Sequence, residues 1–410
     1  MKIRDERKQW VLSPVITGVV TLMIASACGK APSASSEVPV DYERTQREVM
    51  TIDLSAKCPE KDVYLQDFAD IRYVPLETDS RCVMNYPGGI SIRDGYIIVK
   101  DGMGRQVLVY DSDGRYISKV SSHGAGPHEY QILANSPVDF DNMLIYVEDV
   151  SGFKVYDFDG YWVRFIPKPD YATASQLYLY DSDRLLAHYE ASKSYIADSL
   201  KGNYYFIDLK TGARTLAGIQ IDDPASNSRV RIEGAHAIAS SIPVAPMLKT
   251  GGRVVVSDYV TPEVYEGSPS GLDVIMDRHG NGKGVNDGRF LSSVAYLTDR
   301  YVVIRAIRTV GEEEVGKDDI SEIRSLIYDR KEGKMFEGGI LNRDMDVTAS
   351  NLLAEGWGHD LPENTFIDII SVEGLQRLND KGRLHGKLKE IADTISDDAN
   401  PVLMIATIRE

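Results

Sequence analysis

The sequence predicts an all-β fold, a six-bladed β-propeller closed by both chain termini, and three observations lead to this fold class. The first is a unit that recurs along the chain, made of an apolar strand, an Asp/Gly turn and an alternating strand. The second is a further strand before most of these units, which gives three or four strands about every 50 residues, the spacing of propeller blades. The third is a strand near each end of the chain, which suits a ring closed by both termini.

The recurring unit is clearest in "VLVYDSDGRYISKV" (107–120), and four later segments repeat it: 153–166, 204–216, 272–283 and 324–339. Its anchoring aspartates lie 46, 51, 69 and 52 residues apart: Asp111, Asp157, Asp208, Asp277 and Asp329. In each unit the Asp side chain binds nearby backbone, and a following Gly takes the positive φ of a tight turn. An isolated hairpin is marginal in water, so the units must pack on one another. Five hairpins and a remainder predict six blades.

The ends of the folded region carry their own signals. "DIRYVPLE" (70–77) is a strand before the first unit, and "NPVLMIATIR" (400–409) is a strand at the end of the chain. We expect both strands to lie in one blade, since this arrangement removes exposed sheet edges. "GKLKEIADTI" (386–395) has apolar residues at 388, 391, 392 and 395, which predicts a short amphipathic helix on the outside of the ring.

The first 50 residues do not read as part of the fold. "MKIRDERKQW" is charged, and the apolar run after it is short and ends in small residues before Cys28, which is typical of a signal peptide rather than a membrane span. "GKAPSASSEVPV" (29–40) has the composition of a flexible tether. The predicted organisation is therefore a signal peptide (1–27), an anchor and tether (28–50) and one propeller (51–410).

Composition restricts the partners. The chain has 46 basic and 62 acidic residues and a net charge of -16. A surface of this sign repels nucleic acid and anionic lipid, and it suits a neutral ligand or a soluble partner. We therefore expect no nucleic-acid binding, and contact with a membrane only through an anchor.

Two cysteines remain besides Cys28. Cys58 and Cys82 could form one disulfide outside the cytoplasm, and closing a loop of roughly 25 residues would contribute about 3 kcal/mol. The alternative is two separate thiols, because sequence spacing does not report geometry. No CxxC pair occurs, which excludes a thiolate zinc site.

Several motifs resemble known families. "IASAC" (24–28) is similar to the lipobox of bacterial lipoproteins, with Ala25 where Leu is usual; the alternative is an ordinary signal peptide that leaves Cys28 free. "YVPLET" (73–78), "GAGPHEY" (124–130) and "NPVLMI" (400–405) resemble landmarks of the six-bladed, NHL-like β-propeller lipoproteins of Bacteroidetes, which usually have Gly at the position of His128. The resemblance implies lipidation at Cys28 and a cell-envelope location, at the outer membrane facing the periplasm. It implies no activity.

"SSHGAGPHEY" (121–130) is the stretch with the most chemistry. A phosphate-binding loop would need a helix directly after it, with Lys and Ser/Thr at fixed places, and "QILANSPVDF" follows instead. His123, His128 and Glu129 lie close in sequence, but a metal would need a further ligand from elsewhere. The alternative is structural: Glu129 accepts from backbone amides and Tyr130 packs between blades. We expect no metal and no cofactor.

"GWGHDLP" (356–362) places an aromatic residue and a histidine on a glycine-flanked loop. This loop is either a binding platform or a plug at the last blade. The residues predicted to contact a ligand are His123, His128, Glu129, Tyr130, Trp357 and His359.

Two functions fit these observations. The first is a non-enzymatic, lipid-anchored envelope protein that binds a glycan, a peptide or an envelope protein at the channel mouth. The second is a hydrolase or lyase with a metal or an acid–base pair in the central channel. An enzyme would need histidines and carboxylates that converge there, so the relative placement of His123, His128 and His359 distinguishes the two.

Overall fold

Short strands and tight turns make up most of the described chain. The computed structural model describes residues 49–190, 197–219, 221, 228–233, 236–241, 245–282, 290–309, 320–346 and 358–409. These all belong to the compact unit Arg47–Glu410. The predicted signal peptide (1–27), Cys28 and Trp357 lie outside the described residues, so what was inferred for them stays a prediction.

The elements run as follows. The first are β1 (Met50–Asp53), β2 (Val63–Tyr64), α1 (Leu65–Phe68) and β3 (Ala69–Pro75). Next come β4 (Pro87–Arg93), β5 (Tyr96–Asp101), β6 (Gln106–Asp111), β7 (Tyr116–Val120), β8 (Val138–Asp139), β9 (Leu144–Glu148), β10 (Gly152–Asp157) and β11 (Trp162–Pro167). They are followed by β12 (Gln176–Leu179), β13 (Arg184–His188), β14 (Tyr204–Asp208), β15 (Arg214–Leu216), β16 (Ser228–Glu233) and β17 (His236–Ser241).

The second half of the chain continues in the same manner. Its strands begin with β18 (Met247–Thr250), β19 (Arg253–Val256), β20 (Glu263–Ser268), β21 (Gly271–His279), β22 (Leu291–Leu297), β23 (Tyr301–Thr309), β24 (Ile320–Asp329) and β25 (Lys334–Glu337). The last elements are β26 (Ile340–Leu341), β27 (Asp360–Leu361), β28 (Thr365–Ile370), α2 (Val372–Asp380), α3 (Gly386–Ala392) and β29 (Val402–Ile408).

The strands form antiparallel meanders in a propeller-like arrangement. Three four-stranded sheets stand by themselves, β8–β11, β12–β15 and β22–β25, whereas β4–β7 and β18–β21 are joined through β27 into one ten-stranded sheet that also includes β1. Within the described ranges, four sheets therefore have four or more strands, where the sequence predicts six blades. The difference arises because β27 links two predicted blades, and because the last sheet, β28–β29–β3, has three strands.

Hydrophobic side chains fill the spaces between neighbouring sheets. One buried cluster combines Val109 of β6 with Val147 of β9, and another combines Val155 of β10 with Leu185 of β13. The meanders thus bury on one another the apolar faces that a single hairpin would expose to water.

The predicted turn chemistry is confirmed at four of the five anchors. Asp111, Asp157, Asp208 and Asp329 end their strands, and the Oδ1 atom of each accepts a hydrogen bond from a backbone N–H two to four residues later. The glycines that follow have positive φ: Gly114, Gly160, Gly212 and Gly333.

The prediction for the fourth anchor is wrong. Asp277 lies inside β21, opposite Glu263 of β20, and the hairpin turn of that meander joins Ser268 to Gly271. A pattern of one Asp before a glycine does not distinguish the turn from the strand after it.

The two end strands pair as expected from the sequence. β29 lies between β28 and β3 and is antiparallel to both, with Met404 opposite Tyr73 and Asp368. The N-terminal segment also pairs with strands from the second half of the chain, because β1 is parallel to β21 and β2 is parallel to β26. Arg324 secures the stretch between β1 and β2, because its guanidinium donates to the carbonyl oxygens of Leu54 and Ala56.

Two helices lie between β28 and β29. α3 confirms the amphipathic helix predicted at 386–395, and it buries Leu388 and Ile391 in the same cluster as Leu403 of β29. α2 was not predicted; Ser371 caps it by accepting a hydrogen bond from the Gly374 N–H, and Leu375 is its fully buried residue. Within the described ranges, the helices are too short and too polar to cross a bilayer.

The disulfide considered for Cys58 and Cys82 is not formed. Both are free thiols. Cys82 is buried in the cluster that contains β29, whereas Cys58 packs against a different cluster and lies near Arg324. Cys58 and Cys82 are therefore two separate thiols in this structure.

Candidate functional site

The loop 121–130 joins β7 to β8 and is held from within. The Gly126 N–H donates to Glu129 Oε2 at 2.7 Å, and a Cβ at Gly124 would collide with the same carboxylate. Tyr130 is fully buried in the cluster shared by β6 and β9, and its hydroxyl donates to the Arg105 carbonyl oxygen at 2.5 Å. Glu129 therefore accepts from a backbone amide and Tyr130 packs in the interior, as expected if this loop has a structural role.

The two histidines of this loop have different neighbours. His123 Nε2 lies 2.9 Å from Arg105 Nη1 and 3.1 Å from the Gln131 carbonyl oxygen. His128 stacks on Trp162 of β11, with ring centroids 4.0 Å apart, and both side chains are exposed. His128 is thus the predicted residue that takes part in an exposed aromatic stack. Trp162 was not predicted to contact a ligand, because it lies on the next meander and no local sequence pattern places it beside His128.

His359 lies in a buried segment rather than on an exposed loop. Residues 358–361, here called the bridging segment, pass between the first strands of two meanders, and β27 within it is parallel to both β4 and β18. The Ile90 N–H donates to His359 Nδ1 at 3.1 Å, and burial lowers the pKa of His359 to about 4. Of the two readings of this loop, the burial of His359 matches a plug.

The bridging segment leaves little space beside it. A Cβ at Gly89 would lie 2.9 Å from the Gly358 carbonyl oxygen, and Lys249 Nζ is 2.7 Å from Asp360 Oδ2. One cavity beside it, lined among others by Lys100, Tyr178 and Asp360, has a volume of about 50 Å³, and another, lined by His359 and Leu361, has about 20 Å³. These volumes accommodate only a few water molecules, at about 10–15 Å³ of such volume each, and not a glycan or a peptide.

The predicted residues therefore do not converge. His123 and His128 lie on an exposed loop with separate partners, whereas His359 is buried against β4. Within the part of the chain that the structure describes, no three His, Cys, Asp or Glu side chains are grouped so that they could hold a metal.

A second cavity, not anticipated from the sequence, has a volume of about 270 Å³ and is here called the charged cavity. It lies where the β18–β21 meander, the turn between β22 and β23, the residue after β24 and the segment before β28 come together. Its lining residues are Met50, Thr250, Arg253, Glu266, Ile275, Met276, Leu297, Thr298, Asp299, Arg330 and Glu363.

Ion pairs organise one wall of the charged cavity. Arg253 Nε is 3.0 Å from Glu266 Oε1, and Arg253 Nη2 is 2.8 Å from Glu363 Oε1. Glu266 is nearly buried, whereas Arg253 and Glu363 are exposed by 42% and 48% of their side chains. The guanidinium is thus fixed at its inner end and reaches the opening at its outer end.

The opposite wall is fixed by turns. Asn364 Nδ2 donates to Asp299 Oδ2 at 2.6 Å, and Arg330 Nη1 donates to the Thr298 carbonyl oxygen at 3.2 Å. The charged cavity also adjoins the bridging segment, because the Gly251 N–H donates to the Leu361 carbonyl oxygen. No sequence signal marked this wall, since its residues come from three parts of the chain.

The family described as "Domain of unknown function (DUF4934)" matches residues 49–407. No curated protein matches the chain.

Several solved structures are similar. A protein from Bacteroides fragilis NCTC 9343, described as a "Putative exported protein", has a TM-score of 0.59 at 13% identity, over 88% of this chain and 100% of that chain. A member of the duf4221 family from Bacteroides vulgatus has a TM-score of 0.46 at 9% identity, over 84% and 99% of the two chains. A protein of unknown function from Bacteroides thetaiotaomicron has a TM-score of 0.39 at 12% identity, over 82% and 76%. At these identities the first similarity concerns the fold alone, and the other two carry no argument.

Proposed function

We propose that this chain, which belongs to the family described as Domain of unknown function (DUF4934), is a non-enzymatic binding protein of the cell envelope that holds its ligand in the charged cavity. The observation that carries the proposal is the contrast between two spaces. The larger cavity beside the bridging segment measures about 50 Å³, whereas the charged cavity measures about 270 Å³ and is lined by ion-paired polar groups and by apolar side chains. Ligand sites are typically concave spaces of this second kind.

The alternative, a hydrolase or lyase in the central channel, has less support. It would need histidines and carboxylates around one reacting atom. His123 and His128 are exposed on one loop, and His359 accepts from the Ile90 amide and lines a cavity of only about 20 Å³. Binding is the function that the geometry favours.

Another hollow is larger but less suitable. It measures about 510 Å³ and lies open along α2, lined by residues of that helix and by Asp397. One helix face contributes nearly all of its lining, so it has no groups that converge on a ligand from several sides. We therefore assign binding to the charged cavity.

A cavity-filling variant tests the proposal. Ile275 lines the charged cavity, whereas its neighbour on β21, Val274, is exposed and is not among the lining residues. Ligand-observed NMR of the purified protein with neutral monosaccharides, free amino acids and inorganic phosphate should find at least one binder, whose signal is lost in Ile275→Trp and kept in Val274→Trp. Equal binding by both variants, or no binder among the three classes, would contradict the proposal.

We propose also that the protein is exported and anchored by a lipid on Cys28, at the outer membrane facing the periplasm. The signal-peptide pattern supports this location, and so does the similarity of fold to a protein described as exported. In cell fractionation the wild type should be found with the outer membrane and incorporate labelled fatty acid, whereas Cys28→Ser should do neither. Fatty-acid labelling of the variant equal to that of the wild type would overturn the assignment of Cys28.

For the architecture we propose six blades. The ten-stranded sheet would count as two blades bridged by β27, and β28–β29–β3 would be the sixth, closing a ring with strands from both ends of the chain. Support comes from the meanders, which repeat the same antiparallel order in each sheet. A crystal structure with five blades, or with β3 and β29 in different sheets, would contradict this count.

A further inference from the structure

We infer that the charged cavity takes a single neutral sugar ring, such as the terminal residue of a glycan. This inference rests on the proposed function, since it names the ligand class of the same site. Three properties of the cavity lead to it: alternating donors and acceptors, a small net charge, and apolar side chains in its lining.

The hydrogen-bonding groups alternate along the wall. Glu266, Arg253 and Glu363 follow one another as acceptor, donor and acceptor, joined by bonds of 3.0 Å and 2.8 Å. A guanidinium has five N–H donors and a carboxylate about four acceptor positions, and the exposed pair of this series, Arg253 and Glu363, is accessible to a ligand. A ligand that fits such a wall must both donate and accept at neighbouring atoms, as the vicinal hydroxyl groups of a sugar do.

The charges of the cavity argue against a charged ligand. Its lining includes two guanidinium groups and three carboxylates, a formal charge of −1, on a chain with a net charge of −16. A phosphate or carboxylate ligand would be repelled by both. An ammonium ligand would have to share Glu266 and Glu363 with Arg253, which already holds them in place.

The apolar lining and the volume of the cavity fit one sugar ring. Met50, Ile275 and Leu297 give the cavity an apolar surface on which the C–H face of a pyranose can lie. The volume of about 270 Å³ is slightly below the range of about 300–1,000 Å³ found for drug-sized ligands. Since Arg253 and Glu363 are half-exposed at the opening, the rest of a glycan chain can continue into solvent.

Titration of the protein with neutral monosaccharides tests the inference, and we choose glucose, galactose, mannose and N-acetylglucosamine as probes. At least one should bind with a Kd of about 1 mM or tighter, and Arg253→Gln should weaken it at least tenfold, because the shared donor between the two carboxylates is lost. The matched control is Arg115→Gln, which removes an exposed arginine paired with Asp113 on another turn and should leave the Kd unchanged.

Two further results separate the possible failures. Glu363→Gln is a second, exposed substitution that should weaken sugar binding in a protein whose circular dichroism and Tm are unchanged, so a folding defect of Arg253→Gln would not hide the answer. If free amino acids or phosphate bind and are lost in Ile275→Trp while none of the sugars bind, the sugar inference is wrong and the proposed function stands. If Ile275→Trp leaves all binding intact, both are wrong.

Discussion

Lys168 and Glu148 lie in the protein interior with 1% and 0% of their side chains exposed, and their charged atoms are 3.0 Å apart. Lys249 and Asp360 form a second nearly buried pair, which holds the bridging segment to β18. Arg278, which is fully buried, instead donates to the carbonyl oxygens of Asp258, Thr261 and Ser292. At the scale of residues, buried charge is thus compensated by an opposite charge or by several carbonyl dipoles.

Removal of one partner of the Lys249–Asp360 pair should be costly. Asp360→Asn leaves the Lys249 ammonium buried without a counter-charge, and we expect the free energy of unfolding to fall by about 3 kcal/mol. The control is Glu390→Gln, which breaks an ion pair of 2.8 Å with Lys387 on an exposed surface and should change it by less than about 0.5 kcal/mol. Urea unfolding measures both, and similar values for the two variants would contradict a structural role of the buried pair.

His359 should make the protein less stable in acid. Its folded pKa of about 4 lies below the ordinary value of 6.5, so the unfolded chain binds the proton more readily between these values. Stability is therefore fully present above pH 6.5 and falls as the pH drops towards 4, by roughly 2–3 kcal/mol from this group alone. His359→Asn keeps an acceptor for the Ile90 N–H but does not titrate, so its loss of stability between pH 7 and pH 4 should be smaller.

Carboxylates of the protein also titrate in this pH range, so the test compares how the stability of each variant changes with pH. His279→Asn, which removes an exposed histidine, should follow the wild-type profile. Chemical unfolding at pH 4, 5, 6 and 7 gives the three curves; coincidence of the His359→Asn and wild-type curves would show that burial of His359 does not contribute.

At the scale of elements, the turns differ in what surrounds them. "DLKTG" (208–212) and "DRKEG" (329–333) have the same spacing, and both glycines have positive φ, 73° at Gly212 and 63° at Gly333. A Cβ at Gly212 would collide with the Pro167 carbonyl oxygen at the end of β11, whereas a Cβ at Gly333 has open space around it. The first turn is therefore a contact between sheets, and the second is only a turn.

Alanine at these two glycines separates backbone strain from packing. Gly333→Ala should cost about 1 kcal/mol for the left-handed backbone alone. Gly212→Ala should cost about 3 kcal/mol or more, because the collision with Pro167 adds to the same strain. Thermal and urea unfolding measure the loss of stability in each variant. Equal losses would mean that β11 moves to accommodate the added methyl group at no cost in free energy.

At the scale of the whole molecule, the two ends of the folded region depend on one another. β29 pairs along its full length with β28 and β3, and Leu403, Met404 and Ile405 are buried in the cluster that also contains the helices. The last strand is therefore part of the core, although it ends close to the C-terminus.

Two truncations test this dependence. A chain that ends at residue 400 should lose cooperative unfolding, because β28 and β3 lose their shared neighbour and the apolar cluster opens. A chain that starts at residue 47 should keep the Tm of the longer protein within about 2 °C. Calorimetry distinguishes the outcomes, and a cooperative transition in the C-terminal truncation would contradict the role given to β29.

Local chemistry made much of the strand pattern predictable. The turns at Asp111, Asp157, Asp208 and Asp329, the end strands and α3 followed from side-chain hydrogen bonding, glycine and apolar periodicity, which act within about ten residues. Asp277 shows the limit, because a strand followed by glycine has the same local pattern as a turn.

Local residue patterns are sufficient to specify that this chain is built from stacked β-hairpins joined by Asp/Gly turns, because those choices depend on neighbouring residues. The position of β27, and the difference in size between the cavity beside it and the charged cavity, depend instead on how the sheets pack. Arg253 and Glu363 are 110 residues apart, and Lys249 and Asp360 are similarly distant, so no local pattern connects them. Residues so far apart in sequence form ion pairs only after the sheets have packed, and the candidate site depends on these ion pairs.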